Sequence, residues 1–135
     1  MAYRILEHTA DVRMVVEART LEELFREALG GMMEVLKPDR KKDAAETTRR
    51  IELDAASATP LLVDFLNEAL CLAHTNREAF TAVVIEGISE TRVEAELRGA
   101  AVESFGEDIK AATYHEAKVR RNAAGNLETV LVFDI

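Results

Sequence analysis

Residues 20–36, Thr-Leu-Glu-Glu-Leu-Phe-Arg-Glu-Ala-Leu-Gly-Gly-Met-Met-Glu-Val-Leu, are where the hydrophobic period of this chain changes, and that change decides the fold class. Thr20 is a helix N-cap residue, and Glu23, three positions on, completes a capping box. Leu21, Leu24, Phe25, Ala28, Leu29, Met32 and Leu36 follow at helical spacing, so one stripe must face a core. The Met32-Met33 pair reads as core filler before it reads as a partner-binding face, because methionine adapts to irregular gaps. Pro38 ends the segment.

On the N-terminal side, Ile5 and Leu6 predict a short strand, and Met14-Val15-Val16 a second one that Asp11 begins near a sheet rim. On the C-terminal side, Lys37 to Thr48 reads as a charged connection, and Ile51 and Leu53 as a third strand. Thr59-Pro60 opens a second helix, with Pro60 where its missing N–H costs nothing. Leu62, Phe65, Leu66, Ala69, Leu70 and Ala73 form its buried stripe; His74 and Arg77 suit its C-terminal end, and Cys71 reads as a core filler. Phe80 to Ile88 is a strand. Thr91 to Arg98 alternates, with Val93, Ala95 and Leu97 on one face. Gly99 to Lys110 reads as irregular, His115 to Arg121 as a strand with Ala117 and Val119 inward, and Asn122 to Asn126 as a hairpin loop. Leu127 to Ile135 is apolar on both faces, which argues for a central strand. The order β-β-α-β-α-β-β-β-β predicts a single α+β domain over residues 1–135, a largely antiparallel sheet with two helices packed on one side.

A chain of 135 residues suits one domain, and its size requires neither a metal nor a disulfide merely to fold. Apolar residues at 48% and charged residues at 31% place it among globular proteins. The charge sum, 17 − 25 = −8, argues against strong independent nucleic-acid binding. The single cysteine fits a reducing cytoplasm. The N-terminus lacks the apolar core of a signal peptide, and the longest apolar run, Ala69 to Ala73, has five residues where a spanning helix needs roughly 20, so no membrane role is expected. One local exception to the acidity is Lys37 to Arg50, where six basic residues against three acidic give +3. It reads as a solvated loop, or as a dock for RNA or an acidic protein.

No nucleophile elbow, glycine-rich phosphate loop, zinc-protease helix or paired cysteines occur. Three polar segments stand out. Glu7-His8-Thr9-Ala10-Asp11 interrupts two apolar stretches, as a turn whose Asp caps a backbone N–H or as part of a site. Asp134 and the carboxylate of Ile135 put two negative groups at one strand end. Were Asp11 beside them, three carboxylates would converge and hold a hard cation such as calcium or magnesium. Lys110-Ala-Ala-Thr-Tyr-His115 packs a cation, two hydroxyls and an imidazole into six residues. It is either a polar contact loop or a strand start with Tyr114 half-buried and hydrogen-bonded.

Together these segments resemble the archease family, over Tyr3 to Ile135. The resemblance rests on His-Thr-Ala-Asp at 8–11, the helix start at Thr20 to Phe25, Leu-Asn-Glu at 66–68, Lys-Ala-x-Thr-Tyr-His at 110–115 and the terminal Phe-Asp-Ile. Two departures are Glu7, where the family usually has Asp, and Phe65, where it favours Trp.

The resemblance implies a sheet with two helices and a metal site, usually calcium, with magnesium or manganese as other candidates. Its family ligands match Asp11, Asp134 and the terminal carboxylate of Ile135. Glu7, His8, Lys110, Tyr114 and His115 become candidate contacts to a partner or nucleotide. The implied role is that of a non-catalytic activator of an RtcB-type RNA ligase in tRNA splicing, promoting guanylylation with GTP and multiple turnover, and relaxing nucleotide specificity. The alternatives are a chaperone-like modulator of a tRNA methyltransferase or other RNA-processing enzyme, and a small metal-dependent phosphotransferase or hydrolase.

Overall fold

The computed structural model describes residues 1–7 and 11–135. Two antiparallel sheets share two helices. The first sheet joins β1 (Ala2–Glu7), β2 (Asp11–Ala18), β9 (Leu127–Asp134) and β7 (Ala111–Thr113) in the order β1-β2-β9-β7, with the short β8 (Arg120–Arg121) also paired to β9. The second centres on β6 (Arg92–Phe105), flanked by β3 (Pro38–Arg40) and β4 (Glu46–Asp54), with β5 (Glu78–Ile88) also paired to β6. The α+β class, the antiparallel pairing and the two helices agree with the sequence reading, and β9 is central as expected. The single sheet with helices on one side becomes two sheets. Each helix, α1 (Leu21–Leu36) and α2 (Ala58–Asn76), touches strands of both. The core lies where they meet, with Phe25, Phe65, Met14, Leu66, Leu97 and Phe133 fully buried.

The local signals at α1 hold. Thr20 Oγ1 accepts from Glu23 N at 3.2 Å, and Lys37 closes the helix in the left-handed region at φ 49°. α2 starts two residues before Pro60's expected first position, which makes Pro60 its third residue. That is still harmless, since the first four N–H groups of a helix lack intrahelical acceptors.

Four expectations fail. Lys37 to Thr48 is not a plain connection: Pro38–Arg40 form β3 and Glu46 already begins β4, both drawn into strands by pairing with β6. β6 does not end at Arg98 but runs on to Phe105, because Gly99 is not a strand terminator. A Cβ there would meet Ala79 O at 2.0 Å, so the glycine admits the backbone of β5 beside a register shift at Phe80/Ala82. Residues 115–121 are not a continuous strand; only Arg120 and Arg121 pair. The amides of Lys118 and Val119 donate instead to the hydroxyls of Thr129 (2.9 Å) and Thr59 (3.0 Å). Cys71 is exposed on α2 rather than buried.

Within the basic window, Arg50 pairs with Glu52 and Glu86, and Arg49 bonds Glu78 through two nitrogens at 3.0 and 2.7 Å. Two of its six cations are thereby matched to carboxylates of the same sheet. Glu78 itself is buried, and the Arg49 guanidinium holds its carboxyl below the usual range, against an opposing push from burial. A depressed carboxyl adds stability that is present above its unfolded pKa and lost as pH falls through the folded one. Glu78→Gln should therefore destabilise at pH 7 by about 1 kcal/mol, a modest figure because Arg49 stays partly solvated. Chemical denaturation at pH 7 and pH 3 checks this: the difference between the proteins should shrink at the lower pH, and an undiminished difference would refute the assignment.

Candidate functional site

β2 and β9 are neighbours in the first sheet, and their register sets Asp11 directly opposite Asp134. Side chains opposite one another on adjacent strands share a face, with Cβ atoms roughly 4.5–5.5 Å apart. β2 alternates cleanly: Val12, Met14, Val16 and Ala18 are buried, and Asp11, Arg13, Val15 and Glu17 are half-buried on the other face. The facing pair thus lies on the side of the sheet away from the core, at one end of its two central strands. β7 completes the surround. Ala111 pairs with Asp134, and Lys110 N donates to Asp134 O at 2.7 Å.

This arrangement carries an unbalanced charge. Like charges directly opposite in a sheet repel. Asp11 Oδ1 is buried without a hydrogen-bond partner among the described residues, although a buried carboxylate oxygen ordinarily has one. The nearest guanidinium on the same face of β2, Arg13, is already committed to Glu116 through bonds of 3.0 and 2.7 Å. The donor set is all oxygen, which suits a hard cation. No three His, Cys, Asp or Glu side chains cluster among the described residues, so the facing pair stands without a third such side chain there.

The other candidate residues distribute as follows. Glu7 ends β1 and its backbone pairs with Val12; its side chain and the whole of His8 lie outside the described residues. Lys110 and His115 are exposed, and His115 N donates to Thr113 Oγ1 at 3.3 Å. Tyr114 is 56% exposed rather than half-buried, but its hydroxyl does find a partner, donating to Asp64 on α2. That bond, with lesser contributions from burial and from Asp64's charge, raises the phenol's pKa.

Two residues of this region carry no assigned role in the sequence reading. Asn67 of α2 accepts from Ala112 N and donates to Ala112 O, both at 2.8 Å, and so satisfies the outer edge of β7. Asp64 lies three positions before it, on the same helix face. The i, i+3 pair is only one of several polar positions on this helix, and its target on β7 is invisible without the fold. The 110–115 segment is thus fixed on one side by β9 and on the other by α2.

No helix among the described residues is long and apolar enough to cross a membrane. Residues 3–135 match the model of the Archease protein family. A protein archease from Methanosarcina mazei is 32% identical over 96% of this chain and 94% of its own length. One from Pyrococcus furiosus is 31% identical over 96% and 95%. Among solved structures, a Methanobacterium thermoautotrophicum protein superposes with a TM-score of 0.69 at 22% identity, covering 98% of both chains. The crystal structure of an archease from Thermotoga maritima, described as a possible chaperone, gives 0.66 at 24% identity, covering 96% of this chain and 94% of that one. At those identities the two structures speak for the fold alone, which they share with this chain. The match of family model and relatives across nearly the whole length makes this chain a member of the archease family.

Proposed function

We propose that the chain is a non-catalytic activator of an RtcB-type RNA ligase in the cytoplasm, promoting the ligase's guanylylation with GTP and its repeated turnover in tRNA splicing. The supporting observation is the facing pair of Asp11 and Asp134 with an unsatisfied buried oxygen, in a member of the archease family. Asp11, Asp134 and the Ile135 carboxylate would hold a divalent cation; the oxygen donors suit a hard ion such as calcium or magnesium, and the family resemblance favours calcium. When bound, that cation supplies positive charge for a phosphate or for a carboxylate of the partner. The chain's own residues do the rest. β2 and β9 present the carboxylates at a sheet end, and α2, through Asn67, holds the 110–115 segment rigid beside them. Lys110, Tyr114 and His115 are exposed there as contacts to the ligase or its nucleotide.

The test is labelling of limiting ligase with GTP and divalent metal, with and without this protein. Wild type should accelerate labelling, and Asp134→Asn, still folded by circular dichroism, should reduce the acceleration about tenfold or more. Equal acceleration by the variant would sink the carboxylate tip, and no acceleration by wild type would sink the ligase reading.

The description of the Thermotoga maritima archease as a possible chaperone favours a second reading, a chaperone-like partner of an RNA-processing enzyme. It differs in predicting protection of that enzyme from aggregation with no dependence on Asp134.

A further inference from the structure

A groove of about 690 Å³ opens at the other end of the first sheet from Asp11 and Asp134. Arg19, which follows the last residue of β2, and Leu127, which begins β9, both line it. The length of β2 separates it from the carboxylate pair by roughly 24 Å. Arg120 and Arg121 of β8 complete a set of three exposed guanidinium groups, and Leu21, Val119 and Leu127 give it a half-buried apolar floor.

These arginines differ from most others in the protein. Arg13, Arg26, Arg49, Arg50, Arg92 and Arg98 each have a carboxylate oxygen within 4.0 Å. Arg19, Arg120 and Arg121 have none among the described residues, and the one side-chain bond of the three runs from Arg121 to Gly125 O at 2.8 Å. The sequence does supply carboxylates nearby. Glu128 is the register partner of Arg120, and Glu17 is the register partner of Glu128. Both are engaged elsewhere: Asn122 Nδ2 donates to Glu17 at 2.6 Å and to Glu128 at 3.2 Å, and Asn126 Nδ2 donates to Glu17 at 3.0 Å. Two asparagine amides thus hold these carboxylates out of direct contact with the arginines, while the carboxylates keep their charge. In a chain of net charge −8, three guanidinium groups without an ion-pair partner among the described residues border one concavity, which leaves their donors available to an anion. One acidic residue, Glu90, lines the opposite wall beside Ser89. The α2 end also suits an anion, since Ala58 lines the groove, its helix has no acid in the first turn, and Ser57 makes no side-chain cap.

We propose that this groove binds a nucleotide, with Arg19, Arg120 and Arg121 on the phosphates and the base or ribose over Leu21, Val119 and Leu127. The volume lies in the range of small-ligand sites and exceeds what a bare phosphate fills. Guanidinium forks match phosphate oxygens. The acidic remainder of the surface repels an extended polyanion and leaves a compact ligand, either a free nucleotide or the terminal nucleotide of an RNA. This inference stands independently of the ligase reading.

Calorimetric titration of the full chain alone, in chelator so that no carboxylate-bound metal takes part, tests it with ATP, GTP, inorganic pyrophosphate and a 5′-phosphorylated RNA hexamer as probes. A nucleoside triphosphate should bind saturably and more tightly than pyrophosphate. The Arg120→Gln/Arg121→Gln double variant should weaken it about tenfold or more, and Arg19→Gln should act in the same direction without touching the hairpin. Asp134→Asn should bind as wild type does, which separates this groove from the carboxylate pair. Competition by the hexamer would assign the site to an RNA end, and its failure to compete, with triphosphate binding intact, to a free nucleotide. The proposal is overturned by no saturable binding at millimolar triphosphate, by pyrophosphate binding equally well, by undiminished binding in thermally stable arginine variants, or by displacement only with an acidic peptide such as polyglutamate.

Discussion

Phe65→Ala is expected to lower the free energy of unfolding by about 3–5 kcal/mol, the cost of emptying a large buried aromatic site. Phe65 has no exposed surface, and its ring packs on Phe25 with centroids 5.2 Å apart at 49°. That pair joins the two helices, and α2 in turn packs on strands of both sheets, so the deleted ring lies within a core shared by several elements. Such a core collapses poorly into a void, which puts the cost toward the upper part of the range. Against a typical total of about 5–15 kcal/mol, the loss is a large fraction of the whole. Urea titration should show a midpoint shift with little change in slope, and thermal melting a fall of about 10–20 °C. A loss below about 1 kcal/mol would show that the helix pair is not the centre of the core.

The helices were legible in the sequence because what makes them is local. Thr20 and Glu23, the apolar stripe and Pro38 lie within one stretch of chain, and the observed cap bond is the one the spacing requires. The same holds for the alternation that buries Val93, Ala95 and Leu97. What could not be read depends on partners distant in sequence. Gly99 interrupts the alternation and so reads as a strand end; here it admits Ala79, a fact about β5 and not about β6. The segment from His115 to Arg121 has strand-like residues, yet Thr129 and Thr59 capture the amides of Lys118 and Val119 from two other elements. The division into two sheets is equally non-local, since it follows from β2 choosing β9 across most of the chain.

The candidate site shows the same boundary. Asp11 at a strand start and Asp134 at a strand end were visible as positions. Their face-to-face placement is a matter of register, and a slip of one residue would put the two carboxylates on opposite faces of the sheet. Asp64, Asn67 and the freedom of Arg19, Arg120 and Arg121 were out of reach for a related reason. Each is defined by what a side chain from another element does or does not supply, and composition records only that the groups exist.

That register leads to the second large effect, which concerns the carboxylate pair with and without cation. If Asp11, Asp134 and the Ile135 carboxylate hold calcium as proposed, calcium at about a hundred times its dissociation constant should add about 2.7 kcal/mol to the stability of the fold, or about 10 °C in melting temperature. Asp11→Asn should act with opposite signs in the two conditions. In chelator it removes the repulsion between facing carboxylates, so the variant should melt at or above wild type. In calcium it removes a ligand, so the variant should lose most of the increment and melt below wild type. A cavity, a lost cap or a merely structural aspartate would lower both curves together, which is why the crossing of the curves is the informative result. Arg13 is held by Glu116, and Lys110, whose backbone amide donates to Asp134 O, is the other cationic residue that adjoins the pair along the chain, so its ammonium is the rival neutraliser to test. Were Lys110 the partner, wild type would show no calcium increment, and Lys110→Ala would lower the melting temperature in chelator. Differential scanning calorimetry of the three proteins, with calcium and with chelator, separates the two accounts.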